Sequence, residues 1–429
     1  DFETFRNLDK NNVIFTTPEF FTKNIDVLKK IKEHICLVAV DEAHCASQWG
    51  HDFRESYQRL HMIKDNFKNI PLLAITATAT PKVLDDMYSF FNVEEVAEYN
   101  AGTRRENLHI SVAPKTKNIL YDIDIDPTKE IEDSTIIYTR TRKECDKIND
   151  MLNDMNISSV KYHAGMSSSE KEKSHISFMK DESKIIVATI CFGMGIDKPD
   201  IRKIIVYGAP TNIETYYQEI GRAGRDGIES YVKLVYSDND FNTSMYFIDK
   251  MKDEIEKKHN IEMLRIMNSY IGEMNLCRQQ MIDYYFSVGT FSTEANVSQI
   301  KKCKKCDNCL RKDDDRIDIT TDSEIVVKYV KNLDYGIGVT KLILGLRGSK
   351  SKTISINNPY NGKLRDKSLD YCKNIIQILI TKNILRRKQI DMYKVIDLGE
   401  EDINNLKPIC ARYNLSMSDN YTIKEWQKL

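Results

Sequence analysis
The sequence predicts an α/β chain: two lobes built on parallel sheets, the first incomplete, then a helical zinc-binding module, then a small domain of helices and a ribbon. Three observations carry this. Up to about Asn239, short apolar runs rich in β-branched residues alternate with helical segments, the pattern of a parallel sheet wrapped by helices. Cys303-x₂-Cys306-x₂-Cys309 then sets three thiols in one compact knuckle. Beyond Asp313-Asp314-Asp315, three helical segments are followed by two short strands.

The totals narrow the function classes. A chain of 429 residues holds roughly two to four domains, each able to bury a core. Its net charge is -1, so any nucleic-acid binding rests on local patches and not on a global field. No run is long enough to span a membrane, and no signal peptide opens the chain. Ten cysteines with four of them clustered suggest metal rather than disulfides, and a reducing, intracellular compartment. The chain begins at Asp1 and not Met, so a missing amino terminus is expected.

The first lobe is read over residues 1–100. Val13–Thr17 reads as a strand, with Pro18-Glu19 turning into an amphipathic helix near Phe20–Glu33. Cys36–Val40 has the apolar, β-branched character of a strand buried on both faces. It stops at Asp41-Glu42, which puts two adjacent acids at the carboxyl end of a parallel strand, where open α/β sheets bind ligands. Mg²⁺ takes one or two carboxylates plus phosphate oxygens and waters, so one acid suits the ion while its neighbour orients a water. Leu72–Ile75 is read as another buried strand, ending in Thr76-Ala77-Thr78-Ala79-Thr80-Pro81. Hydroxyls repeated at a strand end either relay hydrogen bonds between sites or cap the strand backbone.

Asp41-Glu42-Ala43-His44 is the DEAH signature of helicase motors. The stretch His44-Cys45-Ala46-Ser47-Gln48-Trp49-Gly50-His51-Asp52-Phe53-Arg54 resembles the aromatic-rich loop of RecQ-family DNA helicases. That resemblance implies two RecA-like lobes, a zinc module and a winged helix, and ATP-driven, 3′-to-5′ unwinding of DNA in replication, recombination or repair. It implies that Asp41 holds Mg²⁺, that Glu42 activates water, and that His44, Trp49, Phe53 and Arg54 sense single-stranded DNA. It makes Thr76 and Thr78 the coupling element and sets Thr17-Pro18 against the DNA backbone, although Thr-Pro-Glu alone is also a common strand terminator. The family's phosphate loop, G-x-x-x-x-G-K-[ST], occurs nowhere in the chain; Gly345–Ser351 is a near miss with the wrong spacing. In the family that loop lies upstream of such a start, so the first lobe is expected to be about half present. A non-catalytic DNA-binding remnant of the motor is the alternative, and an RNA helicase is the rival within the same class.

The second lobe is read over residues 101–239. Arg104-Arg105-Glu106-Asn107-Leu108 resembles the family's R-x-N-L entry. Ser134–Arg140, Ile185–Thr189 and Lys203–Gly208 read as strands, separated by helical Thr141–Met155 and Ser167–Met179. Arg140 and His163, each after a strand, resemble DNA-facing loop residues; His163 also fits an ordinary half-buried histidine. Ala188–Pro199 resembles the loop that senses nucleotide and DNA, which makes Gly195 and Asp197 nucleotide-binding candidates. Tyr217–Gly227 carries the family's Q-x-x-G-R-x-G-R element with Gln218, Arg222 and Arg225. Three apart, the two arginines share a direction on a helical turn. They suit the neutralisation of charge developing on a γ-phosphate.

The zinc module is read over residues 240–312. Cys277 adds a fourth thiol to Cys303, Cys306 and Cys309, and four thiolates suit tetrahedral structural Zn²⁺. An iron–sulfur cluster is the other metal these residues fit, and Cys277 is the least secure ligand because its gap to Cys303 is long. The winged helix is read over residues 313–400. Its helices fall near Ser323–Asn332, Val339–Arg347 and Ser368–Lys382, and its ribbon at Ile384–Lys388 and Met392–Leu398. Arg386 and Tyr393 suit a duplex junction, or equally a solvated ribbon. Residues 401–429 read as a tail without a function. The expected ligands are ATP, Mg²⁺ and Zn²⁺, and the expected partner is DNA, single-stranded and at duplex junctions. The expected location is the nucleus if eukaryotic, otherwise the cytoplasm or nucleoid.

Overall fold
The computed structural model describes residues 13–47, 49, 54–93, 96–193, 196–273, 276–290, 300–311, 316–333, 336–349, 357–382, 384–390, 393–406 and 410–412. Among these the best-formed unit is a six-stranded sheet. Its strands are β3 (Leu108–Pro114), β4 (Ser134–Thr139), β5 (Ser159–Tyr162), β6 (Ile185–Ala188), β7 (Ile201–Tyr207) and β8 (Ser230–Tyr236), in the order β3-β8-β7-β4-β6-β5. Every pairing is parallel, so all the loops leaving carboxyl ends emerge along one edge. Every residue of β4 and β6 is buried, as near-continuous apolar strands between helical layers must be. The helices Arg142–Asp154 and Ser168–Met179 match the expected segments, each capped at its start by Thr141 or Ser167. β3 and β8 are additions to the strands read from sequence, and β5 is the strand expected before His163.

The first lobe departs from its expected form. β1 (Val38–Val40) and β2 (Leu72–Ala74) pair in parallel, but each has only three residues. They are not buried on both faces: Leu37, Leu73 and Ile75 are 47%, 45% and 46% exposed. One face packs on a core of Phe21, Leu60, Ile63, Val83 and Met87, while among the described residues no strand or helix covers the other. Val13–Thr17 belongs to no strand among the described residues. The single helix expected near Phe20–Glu33 is broken into Pro18–Lys23, Ile25–Lys30 and a 3₁₀ turn at Lys32–His34. Asn24 makes the break, its side-chain amide donating to the Phe20 carbonyl at 2.8 Å and competing with the helix backbone.

The zinc module adds the helices Glu254–Gly272 and Arg278–Val288, whose apolar residues join the second lobe's core. The last domain holds helices Thr320–Lys331, Val339–Leu346 and Leu369–Thr381 around their own core. Its ribbon is antiparallel β10 (Leu385–Ile390) and β11 (Tyr393–Leu398). β9 (Arg316–Asp318) pairs antiparallel with β12 (Cys410–Arg412), so part of the stretch read as a functionless tail closes this domain. No helix among the described residues is long and apolar enough to cross a membrane.

Candidate active site and zinc centre
The acidic half of the site is set by the β1–β2 pair. Its ladder continues past the strands, with Ile75 N–H donating to the Val40 carbonyl and Ala43 N–H to the Ile75 carbonyl, both at 2.9 Å. The chain then turns sharply, with Glu42 in the left-handed region at φ 49° and ψ 42°. For a residue with a Cβ that conformation costs roughly 1–2 kcal/mol. The turn is stabilised by Asp41 Oδ1, which accepts from Glu42 N–H at 2.9 Å, and by Tyr57, whose hydroxyl donates to the Asp41 carbonyl at 3.2 Å. His44 is only 1% exposed. Its Nδ1 lies 2.9 Å from the Thr76 hydroxyl and 3.4 Å from Glu42 Oε2. Thr76 Oγ1 also accepts from Thr78 N–H at 3.2 Å. The second acid and the Thr-Ala-Thr segment thus both lie against the buried histidine.

The basic half sits on the second lobe. The helix expected to carry both arginines ends at Ile220, and Gly221 begins a series of turns through Gly227. Arg222 and Arg225 therefore do not share a helical face, and their surroundings differ. Burial pulls the Arg222 pKa below its ordinary value, with Tyr138 opposing this and Arg225 adding to it. Arg225 is tied down instead, donating to the Ile196 carbonyl at 2.7 Å and to Asp197 at 3.1 Å. Gly224 is obligatory: its φ is +54°, and a Cβ there would sit 2.4 Å from Asn107 Nδ2 and 2.7 Å from the Ile228 carbonyl. Gln218 is half-buried on the preceding helix. Gly195 lies outside the described residues.

The residues expected to face DNA fall into two groups. Arg140 and His163 follow β4 and β5 at the shared carboxyl edge, yet both are held by the protein. Arg140 donates to the buried Glu219 at 2.7 Å. His163 takes Gly165 N–H on Nδ1 at 3.2 Å and faces Asp146 through Nε2 at 3.1 Å. Thr17 caps the Pro18–Lys23 helix, its hydroxyl accepting from Phe20 N–H at 3.2 Å, with Pro18 in the first helical position. Arg386 is exposed on β10 beside Asp397. The Tyr393 side chain and Phe53 lie outside the described residues. Arg54 precedes the helix Glu55–Gln58, its N–H donating to the Cys45 carbonyl at 3.0 Å.

Trp49 is half-buried between two regions. Lys82 Nζ stands 3.1 Å from its ring centroid, and His259 of the Glu254–Gly272 helix meets it edge-on at 5.3 Å. Sequence reading missed Lys82 and His259, because neither carries a motif and His259 lies far along the chain.

The four cysteines converge, Cys277 included. Their sulfurs all lie within 4.8 Å of one another, with Cys303–Cys309 and Cys306–Cys277 at 3.9 Å. A covalent disulfide needs about 2.05 Å. Four sulfurs held about 2.3 Å from one tetrahedral zinc would stand about 3.8 Å apart, so the donor set fits one zinc ion better than a larger iron–sulfur cluster. Backbone N–H groups of Cys303, Cys306 and Arg278 donate to the sulfurs of Cys277, Cys303 and Cys306 at 3.2, 3.2 and 3.4 Å, an arrangement that stabilises thiolates. Hydrogen bonds from Cys303 and Cys306 pull the Cys277 thiol far below its ordinary pKa. The buried Arg278 donates to Asp307 at 3.0 Å, and Asp307 accepts from Val112 N–H of β3 at 3.2 Å, which docks the knuckle on the sheet edge.

Comparison with known proteins accounts for this arrangement. The DEAD/DEAH box helicase family profile matches residues 2–87, the helicase conserved C-terminal domain 115–227, the RecQ zinc-binding domain 238–310 and the RQC domain 313–412. The mouse bifunctional 3′-5′ exonuclease/ATP-dependent helicase WRN is 36% identical over 81% of this chain and 26% of its own length. The ATP-dependent DNA helicase RecQ of Bacillus subtilis is 34% identical over 87% of this chain and 62% of its own. An Acanthamoeba polyphaga mimivirus protein provisionally named an ATP-dependent RNA helicase, R290, is 36% identical over 88% and 70%. The chain thus spans less than two thirds of the mouse and Bacillus proteins. With the DEAH turn, the arginine turn, the four-cysteine zinc site and the RQC domain in one order, the chain belongs to the RecQ family of DEAD/DEAH-box helicases.

Proposed function
We propose that this chain is part of an ATP-driven DNA helicase that moves 3′ to 5′. The observation that carries the reading is the acidic turn at the carboxyl end of β1, where the buried His44 meets both Glu42 and Thr76. In this reading Asp41 holds Mg²⁺, which when bound supplies charge neutralisation at the phosphates. Glu42 orients and deprotonates the attacking water, and Arg222 and Arg225 offset charge that develops on the γ-phosphate. Thr76 and Thr78 pass the state of that site to the nucleic-acid side, where Trp49, Phe53 and Arg54 meet single-stranded DNA. Asp197 and Gln218 also serve the nucleotide in this reading. Four thiols at zinc distances and further free cysteines support a reducing compartment.

The name of the mimivirus relative favours RNA as a second substrate class, so the experiment sets the two against each other. ATPase is measured on residues 1–429 and on the product of the complete coding sequence, with single-stranded DNA or RNA, and strand displacement on duplexes with 3′ or 5′ tails. The expected outcome is DNA-stimulated turnover and displacement from 3′ tails by the complete product. Residues 1–429 alone should be nearly inactive, since they contain no G-x-x-x-x-G-K-[ST] segment. Stimulation by RNA alone, or displacement only from 5′ tails, would sink the proposal.

A further inference from the structure
We infer that Arg105, held from behind by Gln279, is a positioning residue that fixes the Gly221–Gly227 turn and so aims Arg222 and Arg225. The inference rests on the reading of those two arginines as the ATP-facing pair. The turn begins where the Ile213–Ile220 helix stops, and the carbonyls of Gly221, Ala223 and Gly224 lie beyond that helix's own hydrogen-bond ladder. The Arg105 guanidinium fills that place. Its Nη1 donates to the Gly221 carbonyl at 3.3 Å, and its Nη2 to the carbonyls of Ala223 at 2.8 Å and Gly224 at 2.9 Å. Arg222 lies between the first two of these groups in sequence, and Arg225 follows the third.

Arg105 is itself immobilised. Gln279 Nε2 donates to its carbonyl at 3.1 Å, and Gln279 Oε1 accepts from its N–H at 3.5 Å. The Gln279 side chain is only 2% exposed, on the helix that begins just after Cys277. Asn107 reinforces the turn, donating from Nδ2 to the Gly224 carbonyl at 2.8 Å and the Ile228 carbonyl at 2.9 Å. An arginine serving only to anchor the entry to β3 would bond β3 or its neighbours. The carbonyls chosen here all belong to the turn. The planar fork matters, because a lysine ammonium cannot reach three carbonyls with the same geometry.

Amide hydrogen exchange tests the clamp without any activity. In residues 1–429, Arg105→Ala should speed exchange across residues 221–227. Arg104→Ala should not, because the Arg104 guanidinium bonds the Lys301 and Lys302 carbonyls instead. Should Arg105→Ala fail to fold, Gln279→Glu, which keeps the acceptor and removes the donor, gives the same readout. Unchanged exchange at 221–227 overturns the inference. In the product of the complete coding sequence, Arg105→Ala should lower kcat by roughly 10²-fold, as small misplacements of reacting groups do. KM for ATP, nucleic-acid affinity and zinc content should hold, and Arg105→Lys should restore part of the rate. In an Arg222→Ala, Arg225→Ala background the same change should cost almost nothing further, and losses that multiply would also overturn it. A protein without ATPase whose turn still loosens would defeat the proposed function and leave the clamp standing.

Discussion

The two lobes hold their halves of the proposed site by different means. In the second lobe the arginine turn hangs from a six-stranded sheet whose central strands are fully buried, and the zinc module supports it from behind. In the first lobe the acids hang from two three-residue strands, one apolar face of which no described strand or helix covers. Their position comes instead from local locks: a left-handed Glu42, the Asp41 carboxylate on its N–H, and a buried histidine bonded to Thr76. A site divided in this way has one half fixed by tertiary packing and one half fixed by short-range hydrogen bonds.

The largest expected effect tests whether the two arginines are as unequal as their surroundings. In the product of the complete coding sequence, Arg222→Ala should lower the ATPase kcat on the order of 10³-fold, the scale of losing an arginine that stabilises a transferring phosphoryl group. Arg225→Ala should cost less, because Arg225 is committed to Ile196 and Asp197. A greater loss from Arg225→Ala would reverse the assignment.

A smaller effect concerns the sheets themselves. Ile205 on β7 is fully buried, so Ile205→Ala in residues 1–429 should cost about 2–5 kcal/mol of stability by denaturant unfolding. Leu73→Ala on β2 should stay within about 0.5 kcal/mol, as exposed substitutions do. Equal costs would mean that the open face of the first lobe is covered in solution and would erase the contrast between the lobes.

The smallest effect is a pH dependence at the junction. Burial, and then the charge of Lys82, hold the His259 pKa below its usual 6.5. The imidazole packed against Trp49 is therefore neutral at pH 7. As the pH falls below 6.5, a released histidine takes a proton more readily than a packed one. The contact accordingly weakens down to the lowered value and is constant below it. With the other tryptophan removed as Trp426→Phe, Trp49 emission should move to the red between about pH 7 and pH 5. A red shift on raising the pH would show that the packed form prefers the charged ring.

Much of this was legible along the chain because it is encoded over short spans. Strands β4, β6 and β7, the helices between them, the DEAH and arginine motifs and the Cys303–Cys309 knuckle all follow from periodicity or fixed spacing within a few residues. So does the family, since its motifs appear in order. The burial of β1 and β2 did not follow, because an apolar run states what a strand prefers to pack on and not whether a neighbour is there. Nor did the ending of the helix before Arg222: Gly221 and Gly224 permit a turn, but the close approach of Asn107 and Ile228 demands one. The placing of Cys277 beside the knuckle, of His259 against Trp49, of β12 on β9 and of Gln279 on Arg105 joins residues distant in sequence. Those contacts have no local pattern to announce them, because their free energy comes from surfaces that meet only after both partners have folded.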